Sequence, residues 1–149
     1  MSALPLVTLR HAGARDRAFA YRVRKAAFEE YVARLHPWDE DEQRRIHDRR
    51  FDEYPYRIIQ VDGRDVGVLL ADVHGDEMRV RQLFVQPDQQ RKGVGAACMN
   101  VVLGEAQALG LPVRLRVLKV NPRAQGFFAR LGFTRTGETA THILLERRK

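Results

Sequence analysis

The stretch LFVQPDQQRKGVG, residues 83–95, contains the transition that decides the fold. Its first residues close an alternating segment, Glu77 to Val85, that predicts a β-strand, and Pro87 ends that strand. Gly93 and Gly95 then open a segment whose apolar residues recur at helical spacing. A strand that enters a helix through a glycine loop is typical of an anion site, because the unpaired N–H groups of the first helical turn point at the loop.

Two familiar phosphate loops do not match this stretch. A P-loop requires the run G-x-x-x-x-G-K-[ST], which the sequence lacks. The dinucleotide fingerprint G-x-G-x-x-G fails at its third glycine, where Cys98 stands. About 20 residues further on, Arg114 and Arg116 replace the acidic residue that NAD requires, which leaves only NADP open. The three-strand meander that precedes the loop also departs from the order of a dinucleotide-binding domain.

The composition predicts one globular domain, residues 1–149 with a core of about 6–147. Apolar residues make up 44% of the chain and charged residues 30%, and no apolar run reaches the roughly 18 residues of a membrane helix. The first residues lack the basic and apolar regions of a secretory signal. The single cysteine excludes an internal disulfide and fits a reducing compartment, so we expect a cytoplasmic protein with no membrane partner.

Basic residues outnumber acidic ones by 26 to 19, which gives a net charge of +7. This excess is compatible with an anionic ligand, an acidic substrate or nucleic acid. A nucleic-acid-binding face concentrates its cations, whereas the arginines of this chain are spread over nearly every predicted element. A basic nucleic-acid-binding module is therefore an alternative that the charge distribution does not favour.

Local patterns predict a mixed α/β chain. Asp39 begins a capping box before the second helix, Asp62-Gly63 predicts a hairpin turn, and Asn121-Pro122 predicts the start of the last helix. The predicted strands are residues 5–10, 56–61, 65–71, 77–85, 113–117, 133–138 and 141–146, and the predicted helices are residues 16–36, 40–48, 94–109 and 122–131.

The first predicted helix is amphipathic. Apolar residues recur every four positions across residues 19–35, which leaves Arg22 and Arg24 for solvent. The helix should end at His36, because Pro37 disfavours helical geometry in the residue before it.

Read as Q-x-x-G-x-G, from Gln90, Gly93 and Gly95, the loop resembles the pyrophosphate site of the GNAT superfamily, the acetyl-CoA-dependent N-acetyltransferases. The segment VLKVNPRAQGFFARLGF, residues 117–133, is similar to the strand, asparagine and helix that follow in that superfamily, at the expected separation. The order of elements matches from Leu6 onward. The resemblance implies the GNAT α/β (α+β) fold: a single mixed, mostly antiparallel sheet of about six or seven strands flanked by about four helices.

The resemblance also implies that a primary amine of a small molecule or peptide attacks the acetyl-CoA thioester directly, in a ternary complex and without a metal. The backbone of residues 83–85 would pair with the pantetheine amides and supply an oxyanion donor, and residues 90–96 would hold the pyrophosphate. The resemblance is also compatible with a homodimer. The implied donor-binding residues are Leu83, Phe84, Val85, Gln90, Arg91, Lys92, Gly93, Val94, Gly95, Ala96, Asn121, Phe127 and Phe128.

Phe128 departs from the family pattern, which often has a tyrosine here as general acid. A phenylalanine has no proton to give, although a thiolate with an ordinary pKa of roughly 8.5 is already a tolerable leaving group. An acyl-CoA-binding or sensing domain with weak or no transferase activity is therefore a second alternative.

Several side chains are candidates for the acceptor side. Glu29 and His142 are candidate general bases, and Trp38 and Asp39 are candidate substrate contacts. Each also has a structural interpretation: Glu29 as a solvated helix residue, His142 as a sheet residue, Trp38 as core and Asp39 as an N-cap. Cys98 falls on an apolar helix face, which favours a core residue over a nucleophile. Further base candidates are Glu30, His36, Glu40, His74 and Glu77.

Overall fold

The structure is a computed structural model that describes residues 3–148. Within them lie four α-helices and one seven-stranded sheet of order β1-β2-β3-β4-β5-β7-β6. The elements in chain order are β1 (Thr8–His11), α1 (Arg17–Ala33), α2 (Glu40–Glu53), β2 (Arg57–Val61), β3 (Arg64–His74), β4 (Glu77–Val85), α3 (Val94–Leu109), β5 (Val113–Leu118), α4 (Pro122–Arg130), β6 (Thr134–Glu138) and β7 (His142–Arg147). The predicted mixed, mostly antiparallel sheet is confirmed.

The hairpin between β2 and β3 forms where the sequence predicts it. Asp62 and Gly63 both have positive φ, 52° and 76°, as a two-residue turn that matches strand twist requires. Strand β3 is longer than predicted, because its pairing with β4 continues as far as His74 opposite Glu77.

Strands β4 and β5 separate soon after they meet. They are the one parallel pair among the described strands, and their register contains only Met78 opposite Val113 and Arg79 opposite Arg114. On its other side β4 stays paired with β3 as far as Val85. From Val80 onward, the edge of β4 that faces β5 therefore has no strand partner within residues 3–148.

A β-bulge at Arg81 changes which side chains of β4 face which layer. In the pairing with β3, Ala71 lies opposite Val80 and Leu70 opposite Gln82, so Arg81 is an extra residue. Before the bulge, Val80 packs in the core under α3. After it, even-numbered Phe84 packs instead with the core under α1 and α2, since one inserted residue reverses the alternation.

The sheet is covered on both faces. Helix α3 buries Val94, Cys98 and Val102 against the larger core cluster, and α1 and α2 cover the smaller cluster on the opposite face. Burial raises the pKa of Cys98 to about 12, so its thiol stays protonated near neutral pH. The prediction that Cys98 is a core residue is confirmed.

Two predicted helix ends are wrong. Helix α1 ends at Ala33 rather than His36, because the N–H groups of Arg34 and Leu35 already donate to carbonyls three residues back, in a tightened final turn. Helix α2 continues to Glu53 rather than Asp48, since Phe51 packs on Tyr56, with 5.1 Å between ring centroids.

Among residues 3–148, no helix combines the length and the apolar character needed to cross a membrane. In the same part of the chain, no three His, Cys, Asp or Glu side chains gather as a metal-binding group.

Candidate functional site

A cleft of about 1770 Å³ opens where β4 and β5 separate. One end, here called the loop end, lies between α4 and residues 89–96, of which all but Lys92 line the cleft. The other, here called the two-helix end, lies between α1, α2 and the α1-facing side of β4. Bulges are common beside functional sites, and the bulge at Arg81 lies in the strand that joins the two ends.

A side-chain hydrogen bond connects the loop end to β4, the strand that precedes it. The Gln90 side-chain amide donates to the Val85 carbonyl oxygen at 2.9 Å, so this glutamine fixes the loop against the last residue of β4. Arg91 has φ of 64° and Gly93 has φ of 83°, and these left-handed residues turn the chain sharply into α3. A glycine is suited to this conformation, whereas Arg91 adopts it with strain.

A side chain at either motif glycine would crowd a neighbouring residue. A Cβ at Gly95 would lie 3.3 Å from the ring of Phe127, so the absence of a side chain lets α4 approach the first turn of α3. A Cβ at Gly93 would lie 3.1 Å from Leu4 and from Pro5. Both glycines line the cleft.

The loop presents unpaired hydrogen-bond donors. In the part of the chain that the structure describes, the backbone N–H groups from Arg91 to Ala96 donate to no protein acceptor. The side chains of Arg91 and Lys92 form no ion pair with residues 3–148. The positive end of the α3 dipole adds to their field, so the loop end can bind a polyanion through backbone donors.

Asn121 caps α4 as predicted. Its side-chain oxygen accepts a hydrogen bond from the Ala124 N–H at 3.1 Å, and Pro122 occupies the first helical position. The residue also lines the cleft.

At the position where the family often has its general acid, Phe128 packs against two other phenylalanine side chains. Phe128 lines the cleft but is only 8% exposed, and its ring packs edge-on to Phe127 and Phe133 at centroid distances of 4.9 and 5.4 Å. Helix α4 therefore brings two phenyl rings, and no proton donor, to this part of the cleft.

Three acceptor-side residues expected from the sequence do not line the cleft. Glu29 faces Lys25 at 4.0 Å, and the cleft-lining carboxylate on that helix is the next residue, Glu30, because α1 turns about 100° per residue. Asp39 caps α2 by accepting from the Glu42 N–H at 3.1 Å. Trp38 does not line the cleft either, and its indole N–H donates to Glu40 at 3.0 Å.

His142 does line the cleft. Burial lowers its pKa, and the charge of Arg116 lowers it further, so the imidazole is neutral near pH 7. Its Nδ1 lies 2.8 Å from the Thr141 hydroxyl. Glu77 also lines the cleft, but although burial opposes ionisation, hydrogen bonds from Arg114 and Arg79 keep its pKa low and make it a poor base.

Two residues that the sequence analysis did not assign to the site contribute to its shape. A Cβ at Gly67 of β3 would overlap the carbonyl oxygen of Phe84 and lie 3.2 Å from Val85 Cα, so glycine lets β3 approach the end of β4 closely. A glycine inside a strand pattern is a signal of such close approach, and it was available in the sequence. Arg24, expected in solvent, is instead 6% exposed and lines the two-helix end.

The comparisons with known proteins agree with this architecture. The family described as "Acetyltransferase (GNAT) family" matches residues 20–133, and the chain belongs to this family. Uncharacterized N-acetyltransferases of Mycobacterium tuberculosis and Mycobacterium bovis are each 39% identical to it over 106 residues, which span 62% of this chain and 67% of the relative.

Solved structures show the same fold. The PaiA N-acetyltransferase of Thermoplasma acidophilum, in complex with coenzyme A, superposes with a TM-score of 0.79 at 12% identity over 97% of this chain and 99% of that one. An acetyltransferase of Thermus thermophilus superposes with a TM-score of 0.78 at 19% identity over the full length of both chains. The predicted resemblance to the GNAT superfamily is confirmed.

Proposed function

We propose that this chain is a single-domain enzyme that transfers the acetyl group of acetyl-CoA to a primary amine of a small molecule or peptide, by direct attack in a ternary complex. The observation that carries the proposal is the separation of β4 from β5 directly beside a helix N-terminus with unpaired donors. The coenzyme A complex of the Thermoplasma relative supports the class of donor.

The loop end fits the phosphate-bearing part of coenzyme A. Backbone N–H groups between Arg91 and Ala96 would donate to the pyrophosphate, with Arg91 and Lys92 adding positive charge and no metal needed. The unpaired edge of β4 at residues 83–85 would hydrogen-bond the pantetheine amides like an added strand. One of these edge N–H groups would also stabilise negative charge on the thioester oxygen during attack.

The attacking amine must lose a proton, and between Glu29 and His142 the geometry favours His142. It lines the cleft and is neutral near pH 7, whereas Glu29 faces away from the cleft. Because Phe128 provides no acid, the departing thiolate would take its proton from water.

Phe128 supports an alternative, an acyl-CoA-sensing domain. A well-placed general acid contributes about a hundredfold to ten-thousandfold in rate, so a chain without one could bind the donor and turn over slowly.

The direct test mixes the purified chain with acetyl-CoA and a broad panel of amines and measures thiol release that depends on the acceptor. Release with at least one amine supports the transferase. Tight coenzyme A binding with no release from any amine supports the sensing domain instead.

Gly93→Glu tests the loop assignment, and Gly93→Ala is its matched control. Both variants place a Cβ near Leu4 and Pro5 at the same positive φ, so both bear the same strain. Only the glutamate adds negative charge beside the proposed pyrophosphate. We expect coenzyme A affinity to fall at least about tenfold further in Gly93→Glu than in Gly93→Ala, as loss of a charge-assisted contact predicts. Equal affinities would falsify the loop assignment.

A further inference from the structure

The two-helix end contains a buried arginine without a counter-ion. Arg24 of α1 is 6% exposed and lines the cleft. Its Nη1 donates to the Gln43 side-chain oxygen of α2 at 2.9 Å, which is a neutral partner. No carboxylate within residues 3–148 forms an ion pair with it. A guanidinium has five N–H donors, so most of its hydrogen-bonding capacity is unused.

A buried charge without a partner is costly, which calls for an explanation. Burial, together with the nearby charge of Arg50, lowers the pKa of Arg24 to about 10, so the guanidinium is still charged near pH 7. Other arginines of this chain have carboxylate partners: Arg10 has Asp16, for example, and Arg57 has Glu105. Arg24 lacks such a partner although it is the more deeply buried cation.

Other polar groups beside Arg24 are also unsatisfied. The Tyr56 hydroxyl and the Gln82 side-chain oxygen are buried without a hydrogen-bond partner. Arg50 lines the same end of the cleft and forms no ion pair with any described residue. Gln82 directly follows the bulge at Arg81 and lies in register with Leu70, so the bulge contributes to its placement here.

The position of the guanidinium is fixed from two sides. Its carbon lies 5.6 Å from the ring centroid of Phe28 and 5.6 Å from that of Trp38. Phe28, one helical turn along α1, packs in turn on Phe84 of β4 at 5.4 Å. Arg24 is therefore held next to the strand whose edge would hold the pantetheine, at the opposite end of the cleft from the pyrophosphate loop.

We propose that Arg24 binds an oxyanion of the acceptor, so that the preferred acceptor is an amine that also carries a carboxylate or a phosphate group. An oxyanion would accept two parallel N–H bonds from the guanidinium, with Arg50 adding charge. This inference rests on the proposed function, because it assigns the two-helix end to the acceptor.

The test uses matched amines that differ only in charge: amino acids, their carboxamides, and the aminophosphonates of the same skeleton. Acceptor-dependent thiol release from acetyl-CoA gives kcat/KM for each. A second measurement, the shift in melting temperature that each amine produces in the presence of coenzyme A, reports binding without requiring turnover.

We expect the carboxylate or the phosphonate series to exceed the carboxamides by roughly 10- to 100-fold, as for a hydrogen bond to a charged group. The series that prevails identifies which oxyanion the acceptor carries. Arg24→Met should remove the preference by raising KM for the anionic amines, with coenzyme A affinity unchanged. Arg22→Met, on the exposed side of the same helix, should retain it.

Arg24→Lys is the conservative variant, in case Arg24→Met fails to fold. It keeps the positive charge but loses the planar pair of N–H donors, so it should show an intermediate preference. Carboxamides that perform as well as the anionic amines, or a preference that survives Arg24→Met, would overturn the proposal. Failure of every anionic amine to bind would do the same. Saturable binding of anionic amines without thiol release would instead contradict the transferase and support the anion site.

Discussion

The two ends of the cleft present different parts of the chain to the ligands proposed for them. The loop end uses backbone N–H groups, and they come from one continuous segment, residues 83–96. The two-helix end uses side chains from elements far apart in sequence: Arg24 of α1, Gln43 of α2 and Gln82 of β4. A site built from backbone groups changes little when side chains are substituted, whereas a site built from side chains can change its ligand by substitution. The first arrangement suits a donor that is the same for every acceptor, and the second suits an acceptor that differs between proteins.

The largest effect should come from a backbone change at the loop end. We expect Gly67→Ala to destabilise the protein by about 2 kcal/mol or more, because the new methyl group would overlap the Phe84 carbonyl and force β4 away from β3. Coenzyme A affinity should fall with it, since the displaced residues form the unpaired edge. Chemical denaturation and calorimetric titration measure the two quantities.

Gly104→Ala is the matched control for this change. A Cβ at Gly104 meets nothing within 4 Å, and the residue lies inside α3, so alanine should stabilise the protein by about 0.5–1 kcal/mol. Coenzyme A affinity should not change. If Gly67→Ala were as well tolerated as this control, the position of the backbone at the end of β4 would not depend on the close approach of β3.

A smaller effect should follow from adding a side-chain function to the loop end. Phe128→Tyr places a hydroxyl where the family often has its acid, and we expect turnover to rise by roughly tenfold or more if proton delivery limits the rate. Stability should fall by about 1 kcal/mol, because the residue is buried against the rings of Phe127 and Phe133, which offer the hydroxyl no hydrogen-bond partner. Steady-state kinetics with one accepted amine measures the change.

Phe133→Tyr makes the same chemical change beside Phe128 without lining the cleft, so it should cost stability and leave turnover unaltered. Equal rates for wild type and Phe128→Tyr would show that proton delivery to the thiolate is not the slow step. The loop end would then act through its backbone alone.

The sequence predicted the loop end far better than the two-helix end. The loop end follows mainly from local sequence patterns, whereas the two-helix end depends on contacts between elements that are distant in sequence. The left-handed turn at Gly93 and the cap at Asn121 both mark a helix start, which short patterns encode, whereas the contact of Gly95 with Phe127 of α4 is long-range. The burial of Arg24 depends on α2 crossing over it, and periodicity along α1 contains no information about that crossing. The same limit misplaced Glu29, where an error of one residue rotates a side chain out of the cleft.

The smallest effect concerns how the two-helix end is attached to the sheet. Asp16, at the start of α1, accepts two hydrogen bonds from Arg10 of β1 at 2.9 Å and one from the Gly13 N–H at 2.8 Å. The hydrogen bonds from Arg10 lower the pKa of Asp16 although burial opposes this. A carboxylate with a lowered folded-state pKa stabilises the fold fully above its unfolded value, roughly pH 4, and this contribution is lost as pH falls through the folded value.

We therefore expect the unfolding free energy of wild type to fall between pH 5 and pH 2 by about 1 kcal/mol more than that of Asp16→Asn, the scale of one ordinary intramolecular hydrogen bond. Arg10→Met should reduce the acid sensitivity in the same way, because it removes the cause of the lowered pKa. Urea unfolding at a series of pH values measures this. Acceptor KM should rise before coenzyme A affinity falls as the pH is lowered, since α1 carries Arg24, whereas Asp16 forms no hydrogen bond with residues 90–96 of the proposed pyrophosphate loop. Simultaneous loss of both would show that the two ends of the cleft unfold as one unit.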